Sequence, residues 1–172
     1  MSPELEEIRR EAEGLTVLMS PPDWGHAPLG KWNSAQILEH LRLSYAATTS
    51  GTLKAMEIGR PLGGKPSLRD RIGTFYVAGL GLFPSGRTAP AHTVPAEEAD
   101  VGSLRAFNDA LVAMDATLTD AEKRFGKNAR LLDHPVLGPL TAQQWRRFHR
   151  THARHHMKQI AQQVKRMTPG QA

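Results

Sequence analysis

Hydrophobic positions recur at helical spacing along most of the chain. Leu5, Ile8, Ala12, Leu15 and Met19 follow Pro3 and predict a first helix over 3–19. The stretch from Ser20 to Gly30 holds three prolines and two glycines and reads as loop. Asn33 and Gln36 form a capping box for a second helix, which runs to about Gly59 and carries Ile37, Leu41, Ser44, Leu53 and Met56. Ser67 with Asp70 opens a shorter helix over 67–82, although Gly73, Gly79 and Gly81 each weaken it by about 1 kcal/mol. Residues 83–100, with Pro84, Gly86, Pro90 and Pro95, predict a long irregular loop. Leu104, Phe107, Leu111, Met114 and Leu118 predict a helix over 101–126 that stops at Gly126. A turn at Asp133–Pro139 leads to the last helix, opened by Thr141 with Gln144 and reaching about Met167. No period-2 run predicts a strand. The expected fold is a single all-α domain over 1–172. It is an antiparallel four-helix bundle with one extra short helix, and the core of such bundles hosts sites built from facing helices.

The last helix concentrates the histidines. At about 100° per residue, Trp145, His149, His152, His156 and Ile160 fall on one stripe, apolar at both ends and imidazole in the middle. Arg147, Arg150, Arg154, Lys158 and Lys165 fall on the opposite side, as a solvated basic face. His155 points to the flank, and Gln159 lies at the edge of the stripe. Buried imidazoles need partners for a donor and an acceptor each. His152 and His156, one turn apart, can converge on one cation, and imidazole suits zinc, nickel and ferrous iron. A third ligand is expected from a facing helix, and His40, at the edge of its helix's apolar face, is the best-placed candidate. A hydrogen-bonded core histidine is the plainer reading of His40 taken alone. His26, His92 and His134 sit in Pro/Gly-rich loops and are weaker candidates. His149 reads as a structural or supporting residue, with a proton shuttle as its alternative. Trp32, Trp145 and Phe148 are expected to pack the core. No Glu follows the first histidine of the His-x-x-x-His pair, so a metalloprotease base is missing. No Glu or Asp sits on the stripe, so a carboxylate base would have to come from elsewhere, for example Glu39 or Asp133.

Composition narrows the classes. With no cysteine among 172 residues, disulfides, thiolate ligands and a cysteine nucleophile are excluded. The acidic N-terminus lacks the apolar core of a secretory signal, and no apolar run approaches the ~20 residues of a membrane span, so a cytoplasmic address is expected. The net charge is +5, but Asp133 is the last acidic residue and seven basic ones follow Thr141. The excess belongs to one helix, and no aromatics interleave with it. Nucleic-acid binding is therefore the weakest of three readings, behind an enzyme and a non-enzymatic binding module.

Three segments carry a resemblance: Trp32-Asn-Ser-Ala-Gln-Ile-Leu-Glu-His40, His134-Pro-Val-Leu-Gly-Pro-Leu, and Phe148-His-Arg-Thr-His152-Ala-Arg-His155-His156-Met-Lys-Gln159. Together they resemble the DinB/YfiT-like superfamily, and most closely a branch of uncharacterised bacterial proteins with the same His-Pro…Gly-Pro-Leu turn. The resemblance implies a four-helix bundle, a homodimer, and one divalent metal on three histidines, which fall here on His40, His152 and His156. It implies nickel or zinc, with iron or manganese as alternatives. It also implies activation of water or of a low-molecular-weight thiol such as bacillithiol or mycothiol, hence a hydrolase or a thiol-dependent transferase acting on a small molecule. The alternative is a dimeric protein that binds metal or a small ligand without turnover.

Overall fold

The computed structural model describes residues 1–17, 19–82, 89–96 and 99–167. It is predominantly helical, with five α-helices and a two-stranded hairpin. Helix α1 (Pro3–Thr16) starts on a proline, carries Glu4 and Glu6 in its first turn, and buries Leu5, Ile8, Ala12 and Thr16. It stops short of the expected residue 19. A 3-10 turn over Pro21–Gly25, closed by Ser20 and Asp23, follows and buries Trp24.

Helix α2 (Ser34–Ile58) has the expected reciprocal Asn33–Gln36 box and ends on Gly59 at φ 81°, a left-handed cap that favours glycine. It buries Ile37, Leu38, His40, Leu41 and Tyr45, whereas Leu53 faces out. Helix α3 (Leu68–Thr74) is capped by Ser67 and Asp70 as expected, but it is shorter than read from the sequence. Its chain widens at Phe75–Gly79 into a π turn, with the Leu80 N–H donating to the Phe75 carbonyl at 2.9 Å. Glycines at 73, 79 and 81 leave little side-chain packing to hold a regular helix here. Of the expected loop, 83–88 and 97–98 lie outside the described residues. Residues 89–96 are irregular apart from a short turn at Ala91–Thr93.

Helix α4 (Gly102–Phe125) buries Phe107, Leu111, Met114, Leu118 and Ala121 and stops at Gly126. The expectation of no strands is corrected. Strands β1 (Leu132–His134) and β2 (Gly138–Leu140) pair antiparallel, with Leu132 opposite Leu140 and His134 opposite Gly138. Three-residue strands are too short to show alternation, and Pro139 masks the second one. Helix α5 (Ala142–Met167) opens on the expected Thr141–Gln144 box.

Helix α2 packs on α4 and α5, and α1 packs on α5 and α4. Paired residues give the directions. Ser34–Gln163 and Thr48–His149 set α2 antiparallel to α5, and Glu13–Asn108 with Ser2–Asp115 sets α1 antiparallel to α4. Glu4–Gln143 and Glu7–Arg150 show α1 running alongside α5 in the same direction, so the neighbours are not all antiparallel. The long connection through α3 lets the chain return to the same end before α4 begins. A buried ion pair links α4 to α5: Arg146 Nε donates to Asp115 Oδ1 at 2.6 Å, while its other nitrogens reach Glu122 (3.1 Å) and Thr119 (2.7 Å). On the basic face of α5, Arg150 and Arg154 both approach Glu7 of α1. No helix among the described residues is long and apolar enough to cross a membrane.

Candidate metal centre

His40 lies on the buried face of α2 with Ile37, Leu41 and Tyr45. His152 and His156, one turn apart, lie on the buried face of α5 with Trp145 and Ile160. All three are buried. His152 Nε2 lies 3.1 Å from His40 Nε2 and 3.1 Å from His156 Nε2, and the three ligand atoms lie within 4.8 Å of one another. Among the described residues this trio is the one cluster of histidine and carboxylate ligands compact enough for an ion.

The outer nitrogens decide what the inner ones can do. His40 Nδ1 lies 2.7 Å from the Thr93 carbonyl oxygen, which can only accept, so that nitrogen carries the proton. His156 Nδ1 lies 2.8 Å from Gln159 Oε1, and the Gln159 amide nitrogen faces His155 Nε2 at 3.4 Å, which fits this orientation of the amide. Neutral His40 and His156 thus both turn an Nε2 lone pair toward His152 Nε2. One proton there cannot serve two acceptors well, whereas a cation satisfies all three rings. Bonds of ~2.0–2.1 Å to imidazole set neighbouring donor nitrogens about 3.0–3.4 Å apart, which matches the two short separations. The three donors could therefore hold a metal ion.

Burial keeps these rings neutral. It lowers the pKa of His40 against the opposing Thr93 bond. It holds His152 well below the usual histidine range, with the neighbouring His156 and His40 adding to the effect. His156 is pushed down to about 3 by burial first and by His40 next. Neutral imidazole is the form that binds metal.

The walls are aromatic. Trp32 is half-buried, packs against the core as expected, and its ring centroid lies 5.0 Å from that of His40. Phe148 stacks on His152 at 5.6 Å. The trio forms part of a cavity of about 1060 Å³ between α2, α5, the hairpin and segment 89–93.

His149 is buried on the same stripe, stacked on Trp145 (5.7 Å), edge-on to Tyr45 (5.0 Å), and bonded through Nε2 to Thr48 Oγ1 at 2.9 Å. Burial pushes it to about 3, with His134 contributing. No hydrogen bond joins it to the trio among the described residues. His155 is half-buried beside His156 and outside the cluster, as its flank position predicted. Glu39 chelates the Arg42 guanidinium (2.6 and 2.7 Å), and Asp133 accepts from the Gly64 N–H at 3.1 Å. Neither faces the cavity, so both are removed as general bases. His26 is exposed away from the site, whereas His92 and His134 line the cavity without entering the cluster. Thr93 was missed altogether: it acts through a backbone carbonyl in an irregular segment 53 positions from His40, and no residue pattern reports that.

No curated protein and no solved structure matches the chain. One family model does, over residues 5–163, which include His40, His152 and His156. The chain belongs to the family described as Protein of unknown function (DUF1569).

Proposed function

We propose that this protein is a metal-dependent enzyme of the DinB-like type, its four long helices forming the bundle and its His40, His152 and His156 holding one divalent cation, nickel or zinc before iron or manganese. The observation that carries the reading is the pair of outer bonds, His40 to Thr93 and His156 to Gln159, which commit two rings to present lone pairs to a third. When bound, such an ion supplies Lewis acidity and lowers the pKa of water or of a low-molecular-weight thiol toward neutrality. The chain's own residues do the rest. Thr93 and Gln159 orient the ligand rings. Trp32 and Phe148 exclude bulk water, and the adjoining cavity admits a small-molecule substrate. The reaction class is a hydrolysis or a thiol-dependent transfer in the cytoplasm, carried out by a homodimer.

A second reading, binding without turnover, is favoured by one feature: no carboxylate among the described residues lines the cavity to act as a base. The two are separated by assaying the full-length protein, metal-stripped and reloaded, against ester, amide and thiol-conjugation panels. Turnover that requires the ion and disappears in His152→Ala supports the enzyme. Turnover that survives both chelation and His152→Ala contradicts it, and metal binding with no turnover on any panel favours the binding protein.

A further inference from the structure

The cavity beside the trio is one-sided in its chemistry. Seven imidazoles, Lys31 and Arg166 line it, and no Asp or Glu does so among the described residues. Lys31 and Arg166 make no ion pair among the described residues, and both lie near the junction where Gln163 donates to the Trp32 carbonyl. Leu29, Ile37, Val77 and Leu137 supply apolar wall. Fixed positive charge at such a cavity raises the local concentration of anions.

One histidine of the wall has its tautomer fixed by its own turn. His134 Nδ1 accepts from the backbone N–H groups of Val136 (3.1 Å) and Leu137 (3.2 Å). An imidazole nitrogen that accepts carries no proton, so the proton of neutral His134 is on Nε2. That N–H has no acceptor among the described residues. Phe148 bridges this donor to the metal centre, with ring centroids 4.4 Å from His134 and 5.6 Å from His152. Burial lowers the His134 pKa to about 4, so the ring stays a neutral donor. A neutral donor left open on a residue that lines the cavity selects an acceptor, and a charged acceptor makes the strongest bond.

We propose that the cavity binds a small organic anion with an apolar body, and that His134 Nε2–H receives its acidic group. The proposal names the substrate class for the cavity of the preceding reading, but it does not depend on the ion. The test is calorimetric titration of the full-length protein with 4-phenylbutyrate, 4-phenylbutanol and 4-phenylbutylamine, as purified and after chelation. His134→Asn is the variant to compare, because its Oδ1 still accepts from Val136 and Leu137 while the distal donor is gone; circular dichroism checks that it folds.

The carboxylate is expected to bind the purified protein about tenfold more tightly than the alcohol or the amine. His134→Asn is expected to weaken the carboxylate by about tenfold in both metal states, and the alcohol much less. Equal affinities for the three probes overturn the proposal. So does a carboxylate affinity within about twofold of wild type in His134→Asn. If the purified protein holds no metal yet the preference and its loss in His134→Asn persist, this inference stands and the metal-enzyme reading falls.

Discussion

The Nδ1–H of His40, on α2, donates to the carbonyl oxygen of Thr93, 2.7 Å away in an irregular segment remote in sequence. That single bond decides which face of the imidazole is a base. It predicts that metal-free protein contains His40 as the Nδ1–H tautomer, and His156 likewise through Gln159. Nitrogen-15 imidazole spectra near neutral pH read this directly. An Nε2–H assignment for either ring would contradict the account of the site.

Gln159 is the side-chain partner that mutation can remove cleanly. Gln159→Leu keeps the volume on α5 and leaves His156 without its acceptor. Loss of an outer partner of this type costs about 10–100-fold in metal affinity. Competition against a chelator of known affinity measures the change, and an unaltered affinity would show that Gln159 does not orient His156.

Acid should destabilise the metal-free protein. The folded-state pKa falls to about 4 for His134 and to about 3 for His149 and His156, all below the ordinary histidine value of 6.5. The unfolded chain therefore takes up protons first. The contribution of these rings is complete above about pH 6.5 and is lost as pH falls from there toward 3–4. Below pH 6.5 each such ring costs about 1.4 kcal/mol per pH unit. Urea midpoints measured between pH 7.5 and 5 should decline once pH passes below 6.5, and a flat profile would contradict the burial of neutral histidines.

Arg146 is buried against Asp115, whose other oxygen accepts from the Ser2 N–H at 2.6 Å. Asp115→Ala would strand the guanidinium with Glu122 and Thr119 alone. The expected loss is about 3 kcal/mol, the lower end for breaking a buried pair, because those partners remain. Denaturant unfolding measures it, and a loss below about 1 kcal/mol would show the pair to be incidental.

The parts of the fold that rest on local rules were legible in the sequence. The boxes Asn33–Gln36, Ser67–Asp70 and Thr141–Gln144 start helices where expected, and Gly59 and Gly126 end them. The stripe Trp145–Ile160 faces inward because a 26-residue helix keeps its phase, and so His152 and His156 could be paired and His155 set aside. His40 met them because it sits at the margin of the apolar face of α2. What the sequence hid depends on backbone groups or on distant contacts. Thr93 serves through its carbonyl, and His134 is fixed by two N–H groups of its own turn. Glu39 is unavailable as a base because Arg42, one turn on, claims both of its oxygens. The parallel course of α1 and α5 follows from the long connection, whose route no periodicity encodes.

Three imidazoles from α2 and α5 are proposed to share one cation. Elemental analysis of full-length protein purified without an affinity tag, wild type beside His152→Ala, tests it most directly. About one divalent ion per chain is expected in the wild type and its loss in the variant, with helical content retained. A wild type without stoichiometric metal, or a variant that holds as much as the wild type, would contradict it.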